Sequence, residues 1–168
     1  MSTYTDLGIE LMVTGENAGT WGTKTNNNLN LIEQLTGGFA TVSIAGGAGT
    51  TALDVDDGAL TGTAQQRVIE FTGSISGNRI VTIPNDVETF YILKNSTTGA
   101  NTVQFKYATG SGASTTFSAT DKGIKIVYAS ASPDATNPII VDVMANSSEI
   151  ALTNSNPIKF QDADNSAF

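Results

Sequence analysis

The chain has 168 residues, carries 16 acidic against 8 basic groups for a net charge of -8 at pH 7, and is only 14% charged. That balance excludes the basic footprint with which proteins bind nucleic acid. With no cysteine and no histidine, it also excludes disulfide staples, thiolate or imidazole metal sites, and Cys/His or Ser/His nucleophile pairs.

The N-terminus, "MSTYTDLGIELMVTGENAG", lacks the basic start and apolar run of a secretory signal. No window approaches the roughly 20 apolar residues of a membrane span, so no membrane insertion is expected. Residues 23–36 then read as the single convincing helix. At about 100° per residue, Leu29, Leu31, Ile32 and Leu35 share an arc of roughly 160°, with Asn26, Asn27, Asn30, Glu33 and Gln34 opposite. Thr23 or Thr25 is placed to cap its start, and "TGG" at 36–38 supplies a glycine stop. So much asparagine makes the helix marginal alone, and packing must hold it.

From Phe39 onward the pattern changes to short alternating strands: "FATVSIA", "TALDV", "RVIEFTG", "RIVTIP", "FYILKN", "TVQFKY", "GIKIVYA" and "IIVDV". Gly-, Asn- and Pro-rich turns separate them. Such spacing predicts a mainly β protein, a small β-sandwich or barrel behind an N-terminal segment with one short α-helix. The expected core positions are Ile69, Phe71, Val81, Ile83, Tyr91, Leu93, Val103, Phe105, Ile124, Ile126, Ile139 and Val141. The chain divides into an attachment segment at 1–45, a turn-rich connector at 46–62, a sandwich at 63–145, and at 146–168 a linker that opens a further section.

Several motifs resemble chemistry without its context. "GAGTTA" at 47–52 fits a loose dinucleotide fingerprint, but "LDVDDG" follows where a helix must open. "DVDDG" at 54–58 and "DADN" at 162–165 space carboxylates as calcium loops do. In the first, glycine comes one residue early and Gln65 stands where a bidentate glutamate belongs. Glu70, Asp86 and Glu88 are the carboxylates nearest the strands, yet nothing pairs them for glycoside cleavage. "NST" at 95 and "NSS" at 146 read as Asn/Ser turns. No catalytic, metal or cofactor site is expected, and the chain does not read as an enzyme.

The Trp-helix segment is the strongest candidate. One reading makes it a lid on the sandwich with Trp21 as a core plug. The other makes Trp21, Asn28, Leu29, Leu31, Ile32 and Leu35 a subunit or tail interface. The wide apolar arc favours contacts with more than one neighbour. Asn28, projecting between Leu35 and Ile32, would fix register within the seam, or else serve free amides of the first turn.

"YTDLGIELMVTGENAGTWGTKTNNNLNLIEQLTGG" closely resembles the N-terminal segment of bacteriophage tail fibre proteins, where a Gly-Thr-Trp-Gly-Thr-x-x-Asn-x-Asn-like motif precedes a short Leu/Ile helix. Trp21, Gly22, Thr23, Asn26, Asn28, Leu29 and Ile32 carry the match. Residues 77–106 are similar to a β-sandwich module repeated in such fibres, and "IKFQDADNSAF" looks like the opening of the next fibre section. The resemblance implies a homotrimer in the virion tail, assembled in host cytoplasm. It would dock on other tail proteins (adaptor, nozzle or baseplate), with distal parts meeting host surface glycans. The alternative is a carbohydrate-binding module in host-surface adhesion, using Tyr91, Tyr107 and Tyr128.

Overall fold

The computed structural model describes residues 2–120, 122–131 and 137–145. The expected linker at 146–168, with its "NSS" and "DADN" motifs, lies outside the described residues. A two-stranded ribbon, β1 (Thr3–Tyr4) and β2 (Glu10–Leu11), leads into helix α1 (Trp21–Gly37). Then come β3 (Phe39–Ser43), β4 (Gly49–Ala52), a 3-10 turn (Thr63–Gln65), β5 (Val68–Thr72) and β6 (Arg79–Ile83). The chain continues with β7 (Glu88–Asn95), β8 (Val103–Tyr107), β9 (Thr115–Phe117), β10 (Ile124–Ser130) and β11 (Ile140–Asp142).

The protein is mainly β, and its larger strands form two sheets, ordered β11-β10-β7-β5-β3 and β4-β6-β8-β9. The sheets face each other across rings from both. Phe105 of β8 meets Phe71 of β5 at 6.3 Å between centroids, and Tyr91 of β7 edge-on at 5.7 Å. The expected inward positions on β5, β6, β7 and β8 are all buried.

The strands are wound rather than folded in hairpins. From β3 to β8 the chain alternates between the sheets, so each turn of the coil lays one strand on each, parallel to the strand a turn earlier. Phe39 lies opposite Val68 and Val68 opposite Ile92, while Gly49 lies opposite Arg79 and Arg79 opposite Val103. The corners stack too, through parallel bridges Gly46–Ile75 and Ser74–Thr98. Gly99 sits in such a corner at φ 100°, and a Cβ there would fall 2.1 Å from the Ile75 carbonyl oxygen. Only glycine meets both demands. The antiparallel strands β9, β10 and β11 close the coil.

Three expectations require correction. Residues 39–52, assigned to the attachment segment and connector, supply β3 and β4 to the sheets, because each needs a parallel neighbour that only the next turn provides. Strand β9 (Thr115–Phe117) was not among the expected strands, because its three residues follow directly on the turn-like "TGSGAST" at 109–115 and share Thr115 with it. And β10 and β11 present the opposite faces from those expected. Ile124, Ile126 and Ile139 are exposed and Val141 is half-buried, whereas Val127, Ala129 and Ile140 are buried. Lys125 turns inward because it finds Asp142 at 2.7 Å and lies 5.5 Å from the Phe117 ring centre.

Candidate functional site

The helix begins two residues before its expected start. Asn17, in the left-handed region at φ 63°, accepts hydrogen bonds from the backbone N–H groups of Thr20 and Trp21. Thr23 and Thr25 therefore lie inside the helix and cap nothing. At the other end, the Gly38 N–H donates to the Gln34 carbonyl, which also accepts the Arg67 N–H. A Cβ on Gly38 would stand 2.2 Å from the Gln66 side-chain oxygen, so glycine lets the helix run straight into β3.

What holds this asparagine-rich helix is mostly polar. The Asn28 carboxamide accepts the Glu10 N–H at 3.0 Å and donates to the Glu10 carbonyl at 2.9 Å, as a neighbouring strand would. Asn27 donates to the Gly58 carbonyl and Gln34 to that of Leu60. Lys24 pairs with the buried Glu10 carboxylate at 2.9 Å. Leu31, wholly buried, is the apolar anchor. The ribbon beneath is held in turn by Gln65, fully buried, whose amide donates to the Leu7 and Asp56 carbonyls and accepts the Asp56 N–H.

Because these tethers occupy one side, the apolar arc is split. Leu31 is removed from any interface, which corrects its assignment. Asn28 is committed to Glu10 in mid-helix, so it serves neither first-turn amides nor a seam between chains. Leu35 is half-buried. Trp21, Leu29 and Ile32 face outward, exposed by 63%, 59% and 46%. They lie within about 80° around the helix axis. Trp21 is thus no core plug. The ribbon adds Leu11, Met12 and Val13, also exposed. The tethering roles of Glu10, Lys24, Asn27 and Gln34 escaped the sequence reading. The one available signal was a glutamate inside the apolar run "IELMV".

The Ser2 hydroxyl and the Lys24 ammonium hold the Glu10 carboxyl below its ordinary value of 4.5. A depressed carboxylate stabilises the fold above the unfolded value, and that contribution is lost as pH falls through the folded one. Acidification below 4.5 is therefore expected to loosen the ribbon and helix. Trp21, the single tryptophan, reports this as a fall in fluorescence anisotropy on heating. In Glu10→Gln this pH dependence should flatten; an unchanged dependence would assign the effect to other carboxylates.

The remaining candidates are dispersed. Tyr91 and Tyr107 are buried, donating to the Ala64 and Val87 carbonyls, and burial pushes the Tyr107 phenol up to about 12. That removes two of the three aromatics a sugar site would have used. Tyr128 remains on the surface, bonded to Glu88 and 5.0 Å from the Phe90 ring. Glu70 pairs with Lys94 at 2.8 Å. Asp86 lines a hollow of about 340 Å³ with Tyr4, Asp6 and Asp57. In "DVDDG", Asp54 accepts from Thr63 and Asp56 from Thr61. Among the described residues, no cluster of three or more Asp and Glu side chains is arranged to hold a metal ion, and no helix is long and apolar enough to cross a membrane.

No protein-family model matches this chain, and no curated protein or solved structure matches it significantly.

Proposed function

We propose that the chain is the anchoring portion of a phage tail fibre, a structural virion protein linking the tail to distal host-recognition parts. One observation carries the reading. The helix binds its own chain through Asn27, Asn28, Gln34 and Lys24 and leaves Trp21, Leu29 and Ile32 bare. A helix tied to its own chain largely through polar groups, with Leu31 its one wholly buried apolar side chain and three large apolar ones bare, is completed by another polypeptide, since each large side chain gains about 1.5–3 kcal/mol on burial. The resemblance of residues 4–38 to tail-fibre N-termini supports the same role, with three copies per fibre and an adaptor, nozzle or baseplate protein as receiver. No catalysis belongs to it.

Ile32→Asp tests this directly. The side chain is exposed by 46%, so the variant should fold, with unchanged circular dichroism. It should be incorporated into particles at least about tenfold less, as expected when a desolvated contact worth over 1.4 kcal/mol is lost. Incorporation equal to wild type would end the anchoring role of this face.

A further inference from the structure

The outer face of the five-stranded sheet carries an unexplained apolar band. The registers align it strand by strand. Phe39 on β3 lies opposite Val68, and Val68 opposite Ile92. Ile92 is opposite Ile126, and Phe90 opposite Tyr128. Tyr128 is opposite Val141. The band therefore crosses the sheet from edge to edge, on the side turned away from the sandwich core.

Its exposure is large. Phe39, Phe90, Ile124, Ile126, Ile139 and Val143 are each exposed by between 39% and 63%. With their half-buried neighbours they present on the order of 700 Å² of apolar side chain, above the 300–600 Å² usual for a monomer's largest patch and close to the ~800 Å² each partner buries in a standard interface. The band is also where the protein's acidity is suspended. Among the outward residues of these strands the charges are Glu70, Lys94 and Glu88. Glu70 is neutralised by Lys94, and Glu88 is bonded to the Tyr128 hydroxyl. A partner with the same net charge of -8 can approach here without facing an array of carboxylates.

We propose that this face is where copies of the chain associate, band against band, across a rotation axis that brings the same residues of each copy together. In a cyclic arrangement of identical subunits, the same apolar surface of each copy can meet about the rotation axis. The inference rests on the proposed function for the presence of several copies and adds the face through which they meet: the outer side of the five-stranded sheet is covered while the helix face stays free.

Analytical ultracentrifugation of the full chain tests it. The wild type is expected to sediment as an oligomer at micromolar concentration. Ile126→Asp should weaken self-association at least about 30-fold, as loss of a central interface contact does. Ile32→Asp should leave association unchanged. A monomeric wild type would overturn the proposal, whether the band is then covered by residues 146–168 or by a different protein. So would an Ile126→Asp chain that associates like the wild type, or association lost only in Ile32→Asp. Should Ile126→Asp misfold, Ile124→Cys decides, since the chain has no cysteine of its own. A spin label there must show dipolar coupling between copies, and its absence in the oligomer would refute the arrangement.

Discussion

Phe105→Ala is expected to cost about 3–5 kcal/mol, the range for deleting a fully buried aromatic. The ring is buried completely and touches Phe71 and Tyr91 from the facing sheet, so its removal opens a void shared by both layers. The stacked corners, with Gly99 against the Ile75 carbonyl, tie each turn of the coil to the next and limit how far the surrounding strands can shift to fill it. For a domain stable by about 5–15 kcal/mol this is a large fraction. The melting temperature should fall by roughly 10–15 °C on the usual scaling for this size. Urea unfolding that gave a loss below about 1 kcal/mol would mean that the sheets collapse onto one another, contrary to the parallel coil described.

Gln65→Leu should act locally and nearly as strongly. The replacement has a similar volume but abandons the Leu7 carbonyl and both backbone groups of Asp56. The Asp56 carbonyl keeps the Ala59 N–H, so two groups are left unpaired at about 1–3 kcal/mol each, and the N-terminal ribbon should lose about 2–6 kcal/mol of attachment. Hydrogen exchange provides the readout. Amides of residues 5–10 and of the helix should exchange at least about 30-fold faster, on the conversion of 1.4 kcal/mol per decade, while those of β5 to β8 keep their protection. Gln65→Glu should be worse than Gln65→Leu, because it sets a carboxylate against two carbonyl oxygens. Equal protection of the ribbon in all three chains would show that Leu31 and the helix tethers suffice without Gln65.

The two halves of the sandwich differed in legibility for a physical reason. In "RVIEFTG" and "TVQFKY" one parity holds the larger apolar residues and the other is polar apart from Val68, so Ile69, Phe71, Val103 and Phe105 declare themselves. In "GIKIVYA" both parities hold apolar groups, and the more apolar one, Ile124 with Ile126, faces outward. What reversed the choice is remote in sequence: Asp142 and Phe117 make the inside tolerable for Lys125. The helix repeats the lesson. Its apolar arc was visible, but not that half of it would be covered by the chain itself. Asn28 looked like a polar flaw in a seam between chains, and instead imitates a strand for Glu10.

The order of residues alone thus determined that strands form, where most of them run, that one short helix precedes them, and that no thiol or imidazole chemistry is available. Those follow from local propensity, alternation and inventory. Which strands become neighbours, which side of β10 is dry, and which face of the helix stays bare were settled only when the chain was wound. Burial depends on what stands opposite a side chain, and here the partners come from a different turn of the coil.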